Sequence, residues 1–128
     1  MAVGRDKAGV YVLGRFDECQ PPAQTNPMDP SVICIVETHD QSFEDRWAQF
    51  EVSAFQGGYG HSPGLNFFEA FMNSTPGDPP QWLYVAVMPL GEPKEEGKAE
   101  VINDAKRRLL TQYKARHGRL PRCNRVIS

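Results

Sequence analysis

The chain has 128 residues, of which 40% are hydrophobic and 23% charged, proportions typical of one globular domain with an ordinary core. No apolar run approaches the ~20 residues that a membrane span needs. The first residues lack the apolar stretch of a signal peptide. We therefore expect a cytoplasmic protein that makes no contact with a membrane. The three cysteines share no metal-ligand spacing, which predicts reduced thiols and no metal site.

The charge is unevenly distributed along the chain. The net charge of −2 argues against a strong attraction of the whole protein to nucleic acid. All sixteen acidic residues lie at or before Asp104, whereas eight lysines and arginines and no acid follow it. This basic end either forms a nucleic-acid-binding face or neutralises the acidic remainder of the fold. The candidates for that face are Lys106, Arg107, Arg108, Lys114 and Arg116.

Two strands are predicted in the first third of the chain, after a polar N-terminal segment. We expect residues 1–8 to be frayed and residues 9–15 to form the first strand. The proline-rich residues 16–31 are longer than a hairpin connection needs, which indicates an insertion. The apolar run Val32–Thr38 is short and β-branched, so it predicts a central strand buried on both faces.

A helix is predicted to begin at Ser42, because Ser42 and Asp45 have the spacing of a capping box. Its buried stripe recurs at helical spacing and consists of Phe43, Trp47, Phe50 and Ala54. Arg46 lies one residue off this stripe, where its guanidinium can face a groove. Arg46 then either binds a phosphate or pairs with Glu37 or Asp45, and we favour the phosphate.

Loops and short apolar segments alternate in the middle of the chain. A glycine-rich loop contains His61, which either transfers a proton, donates to a phosphate or makes a structural hydrogen bond, and we favour the structural hydrogen bond. Residues 65–72 predict a short helix, and residues 82–88 predict the third strand. The buried side of that short helix is predicted to be Leu65, Phe68 and Met72.

The last predicted helix covers residues 99–117 and ends at Gly118. Its buried stripe is predicted to be Ile102, Ala105, Leu109 and Tyr113. Lys106 lies beside this stripe. The predicted fold is therefore α+β: a small three-stranded, mainly antiparallel sheet flanked by helices, in a single domain over residues 9–128.

The order of these motifs resembles the GIY-YIG nucleases over nearly the whole chain. The matching positions are Gly9-Val10-Tyr11, Val32–Thr38, Arg46, Gly60-His61-Ser62 and Asn124. The resemblance implies the α+β fold of that family and a site that acts on DNA phosphates. The catalytic positions that it implies are Tyr11, Arg46, His61 and Asn124. Arg46 would contact the phosphate.

Three positions depart from the family pattern. Cys34 stands where the family has its second tyrosine, and Val36 stands where it has a glycine. Lys106 stands at the position of the metal-binding glutamate, and an ammonium repels a divalent cation. The resemblance therefore implies a domain impaired in catalysis, without a metal or cofactor, that retains a groove for phosphate or nucleic acid.

Two other functions stay open. An active, divergent DNA endonuclease with Mg²⁺ or Mn²⁺ needs a carboxylate from elsewhere, and Glu37 at the strand end is the candidate. Glu100 is a poor substitute, because it lies about 240° around the last helix from Lys106. A protein-interaction module that uses the proline-rich loops is the third possibility, and the acidic pI of 5.9 suits it.

Overall fold

The structure, a computed structural model, describes residues 4–17, 25–57, 62–72, 77 and 80–127. It contains one antiparallel sheet of three strands, β1 (Ala8–Arg15), β2 (Val32–Thr38) and β3 (Leu83–Gly91), in the order β2-β1-β3. With the helices described below, this confirms the predicted α+β class. The third strand extends three residues beyond the predicted end at 88.

The predicted central position of Val32–Thr38 is wrong, because β1 pairs with both other strands and β2 lies at an edge. An apolar run predicts that both faces of a strand are buried, but it does not predict whether the strand has one or two neighbouring strands. Both faces of β2 are indeed buried. Residues 5–7, which we expected to be frayed, are instead hydrogen-bonded to the start of the first helix. The carbonyls of Arg5 and Lys7 accept hydrogen bonds from Glu44 and Phe43, at 3.0 and 2.8 Å.

The helices are α1 (Phe43–Gln56), α2 (Ser62–Phe67), which continues as a π-helical turn over Phe68–Met72, and α3 (Lys98–His117). The predicted start of α1 is confirmed, since the Ser42 hydroxyl accepts a hydrogen bond from the Asp45 N–H at 3.1 Å. The predicted end of α3 is also confirmed. Gly118 has a φ of +74°, and its N–H donates to the Lys114 carbonyl at 2.8 Å.

The helices cover opposite faces of the sheet. Because side chains alternate along β1, Tyr11 and Leu13 face the aromatic core on the side of α1 and α2, while Val10 and Val12 face α3. Register shifts at the end of β1, where Gly14 pairs with Val32 and Ile33 is skipped. This bulge places Ile33 and its neighbour Cys34 in the same core cluster.

Two predicted helix stripes need correction. Leu65 is 40% exposed, and Phe67 is buried in its place. Phe67 and Met72 lie five residues apart and are both buried, because the segment widens into a π-helical turn over Phe68–Met72. In α3 the fully buried side chains are Ile102, Leu110 and Tyr113, while Ala105 and Leu109 are partly buried.

The outer edge of β2 is covered by the last residues of the chain. The Cys123 N–H donates to the Ile33 carbonyl at 2.8 Å. The Asn124 side chain then pairs with both backbone groups of Ile35, accepting from its N–H at 2.9 Å and donating to its carbonyl at 2.8 Å. Across the described ranges, no helix combines the length and the apolar character that crossing a membrane requires.

Candidate functional site

A cavity of about 390 Å³ lies at the outer edge of β2, where the two helical layers approach each other. Arg46 of α1 and Lys106 of α3 contribute to its wall from opposite faces of the sheet, and Arg125 contributes from the C-terminal segment. Glu37 at the end of β2 is the single carboxylate among the described lining residues. Three cationic groups therefore share a small space with one anionic group.

Arg46 lines this cavity and carries a hydrogen-bond donor without a partner among the described residues. Its Nη1 donates to the Gln49 side-chain oxygen at 3.2 Å. Its Nε is buried, and within the described residues it has no hydrogen-bond partner. Neither Glu37 nor Asp45 forms an ion pair with it. Because a buried charged donor without a partner is costly, this guanidinium is suited to an anionic ligand.

Tyr11 is a neighbour of Arg46 but does not line the cavity. Its ring is 1% exposed and meets Phe43 edge-on, with ring centroids 6.1 Å apart. Burial raises the pKa of Tyr11, the nearby Cys34 raises it further, and the Arg46 guanidinium opposes both effects. No well-formed hydrogen bond joins the two groups, and the Tyr11 hydroxyl has no partner within the described part of the chain. The hydroxyl thus remains protonated and able to donate.

Lys106 is half-buried at the margin of the α3 stripe, as its spacing predicted. Burial lowers the pKa of Lys106, and the positive charges of Arg46 and Arg107 lower it as well, while Glu37 opposes the shift. The ammonium and the guanidinium therefore repel each other across the cavity. An anion bound between them would relieve this repulsion.

Glu37 is the candidate carboxylate for a metal. Its Oε2 accepts a hydrogen bond from His39 Nδ1 at 3.0 Å. Glu100 is exposed and does not contribute to the cavity. The described ranges contain no group of three or more His, Cys, Asp or Glu side chains that could together hold a metal ion. Glu37 thus faces two cations without a second carboxylate from the described lining residues.

The remaining site candidates fall into three groups. Asn124 and Val36 line the cavity, and the Asn124 amide is engaged with the β2 backbone. Cys34 is fully buried and does not line it. His61 lies outside the described residues, so its place relative to the site stays a prediction.

The basic residues of α3 do not form a single face. Arg107, Arg108, Lys114 and Arg116 are all exposed, and none of them lines the cavity. At about 100° per residue, Arg107 and Lys114 lie about 80–100° from Lys106, on the flank that Leu110 also approaches. Arg108 lies about 160° from Lys106, and Arg116 lies about 80° from it on the side away from Leu110. Arg108 is also paired with Asp104 at 2.9 Å.

The residues of the cavity wall that the sequence analysis missed include an asparagine and an arginine. Asn66 of α2 lines the cavity and donates from its side chain to the Cys123 carbonyl at 2.8 Å. No sequence signal points to it. Arg125 lines the cavity and forms an ion pair with Glu69. Its membership of the basic end was the available signal, but its position depends on how that segment folds back onto β2.

Comparison of the chain with protein-family models, with curated proteins and with solved structures yields no match. The resemblance to the GIY-YIG nucleases stays a prediction.

Proposed function

We propose that the cavity binds a phosphate of a nucleic-acid backbone and does not hydrolyse it, in the manner of a GIY-YIG-like domain impaired in catalysis. The observation that carries the proposal is that Arg46, whose buried Nε has no partner among the described residues, lines the same cavity as Lys106. Both groups are cationic, and they reach the cavity from opposite faces of the sheet.

A phosphate fits this pair because the two cations make different kinds of contact. The planar Arg46 guanidinium can donate two parallel hydrogen bonds to one phosphate, whereas the Lys106 ammonium acts as a compact point charge. The lowered pKa of Lys106 supports the same conclusion, since it arises partly from the charge of Arg46. A phosphate would reverse that effect.

Hydrolysis is disfavoured by the charges around the cavity. Metal-assisted cleavage of a phosphodiester requires a cation that polarises the phosphate and activates water. Here Lys106 and Arg46 line the same cavity as Glu37, and their charges oppose the entry of a divalent cation. The protein is thus better suited to holding a phosphodiester than to cutting it.

The test combines a binding titration with a cleavage assay. Fluorescence anisotropy with labelled DNA should detect binding at low salt, and the affinity should fall as the salt concentration rises, because binding releases counterions. The same DNA incubated with Mg²⁺ or Mn²⁺ should stay intact. Absence of binding at low salt would refute the proposal, and robust cleavage would favour the alternative below.

An active metal-dependent endonuclease is the second candidate, because Glu37 does line the cavity. If this is correct, cleavage with Mg²⁺ should be lost in Glu37→Gln, and calorimetry should detect metal binding that the same substitution abolishes. The third possibility, a protein-interaction module, depends on proline-rich loops that lie in part outside the described residues. It stays a prediction.

A further inference from the structure

Two free cysteines from distant parts of the chain meet beside the cavity. Cys34 lies in β2 and Cys123 in the C-terminal segment, 89 residues later. Both are fully buried, both have free thiols, and both belong to the core cluster on the side of α1. This convergence has no part in the phosphate-binding proposal.

Backbone contacts hold the two cysteines close together. The Cys123 N–H donates to the carbonyl of Ile33, the residue next to Cys34. The bulge at Ile33 brings Ile33 and Cys34 into the same core cluster as Cys123. The Cys123 thiol lies near enough to raise the pKa of Cys34, in addition to the larger effect of burial. A disulfide requires neighbouring backbones with side chains on a common side, and this arrangement provides both.

We propose that Cys34 and Cys123 form an intramolecular disulfide when the folded protein meets a peroxide. The bond would fasten the C-terminal segment to β2. Asn124 and Arg125, which follow Cys123 directly, line the cavity. Oxidation would therefore fix these two residues in the cavity wall.

The chemistry begins at Cys123, because Cys123 borders the cavity whereas Cys34 does not. Since both thiols are fully buried, peroxide enters from the cavity during a local opening of the C-terminal segment. The Cys123 thiolate attacks one oxygen of hydrogen peroxide and breaks the O–O bond, which yields a sulfenic acid and, after protonation, water. The Cys34 sulfur then attacks the sulfenic sulfur. The S–O bond breaks, and the hydroxide leaves as a second water with the proton of the Cys34 thiol. The two thiols lose two electrons and two protons in total, and one peroxide becomes two waters.

Cys34 is suited to the second step and not to the first. Burial keeps its pKa above the ordinary value, so little of it is a free thiolate. We therefore expect the disulfide to form slowly, with the Cys123 sulfenic acid as the intermediate.

The experiment uses the full folded chain with Cys19→Ser, since Cys19 lies outside the described residues and is the remaining thiol. The protein is treated with hydrogen peroxide, and free thiols are blocked. Peptide mass spectrometry should then find a Cys34–Cys123 linked peptide that lacks two hydrogens. The melting temperature should rise by about 5–10 °C because the crosslink restricts the unfolded chain, and dithiothreitol should reverse the rise.

Several results would overturn the inference. One is a folded, peroxide-treated chain in which Cys123 is overoxidised and Cys34 remains a free thiol. Others are linkage between molecules, or linkage that forms only in urea. A Cys34→Ala chain, shown by circular dichroism to be folded, serves as the control and should accumulate the sulfenic acid at Cys123.

A second measurement depends on the proposed function. If the cavity binds a phosphate, the oxidised chain should bind DNA more tightly than the reduced chain, because Asn124 and Arg125 are already held in place. The two proposals can fail separately. A linked peptide without DNA binding refutes the phosphate site alone, whereas DNA binding without a linked peptide refutes the disulfide alone.

Discussion

Tyr11 and Tyr113 lie on opposite faces of the same sheet, and both are almost completely buried. The hydroxyl of Tyr113 donates to the Val32 carbonyl at 3.0 Å. Within the described residues, the hydroxyl of Tyr11 has no partner. The two tyrosines are thus equally buried, but only the hydroxyl of Tyr113 has a hydrogen-bond partner among the described residues.

The difference extends to the neighbours of each tyrosine. On the α3 face, His117 is also satisfied, since its Nε2 donates to the Met28 carbonyl at 2.6 Å. On the α1 face, neither the Nε of Arg46 nor the hydroxyl of Tyr11 has a partner in the part of the chain that the structure describes. Because an unpaired buried polar group destabilises a fold, the polar groups near Tyr113 serve stability. Those near Tyr11 do not stabilise the fold in this way, and Arg46 among them lines the proposed phosphate site.

The largest expected effect is that of Arg46→Ala on DNA affinity. Loss of a charge-assisted contact should weaken binding about 10- to 100-fold. The matched control is Arg108→Ala, because Arg108 is an exposed arginine paired with Asp104 and lies away from the cavity. Anisotropy titrations at one salt concentration check both variants. An equal loss of DNA affinity in the two variants would show that Arg46 makes no specific contact with the DNA.

Replacing each tyrosine with phenylalanine compares the two faces directly. Tyr113→Phe should lower the free energy of unfolding by about 1 kcal/mol, because the Val32 carbonyl loses its donor. Tyr11→Phe should leave stability unchanged or slightly higher, since its hydroxyl has no partner to lose within the described residues. Urea unfolding measures both values. A larger cost at Tyr11 than at Tyr113 would show that the Tyr11 hydroxyl is satisfied in solution.

The pH dependence of binding should identify Lys106. Its pKa in the folded protein lies below the ordinary 10.5, so DNA affinity should be full below that lowered pKa and fall severalfold as the pH rises through it. The contribution of Lys106 to stability has the opposite sign. Burying the charged form is unfavourable, and stability should rise with pH between the folded pKa and 10.5. In Lys106→Arg, DNA affinity should no longer fall over this pH range. If it still falls, a group other than Lys106 is losing the proton.

The smallest expected effect concerns the flanks of α3. The double variant Arg107→Gln and Lys114→Gln removes charges beside the cavity, and it should reduce affinity about two- to threefold and make the salt dependence less steep. The matched double variant Arg108→Gln and Arg116→Gln removes equal charge from the side of the helix away from Leu110, which lines the cavity, and should have a smaller effect. Equal effects of the two pairs would mean that DNA contacts the whole helix.

The local features of this protein were determined by its sequence alone. The span of β2, the Ser42 cap of α1 and the Gly118 end of α3 depend on periodicity and on hydrogen bonds within a few residues, so they could be predicted. The position of Lys106 at the margin of its helix follows from the same periodicity.

Tertiary structure alone decided how these parts meet. Three features join residues far apart in the chain: the strand order that makes β1 central, the cavity shared by Arg46 and Lys106, and the convergence of Cys34 with Cys123. A local pattern reports which face of an element is buried, but it does not report what covers that face. Among the described residues, β2 has β1 as its single strand neighbour, so its outer edge is not paired with another strand. The cavity forms because the C-terminal segment folds back along that edge.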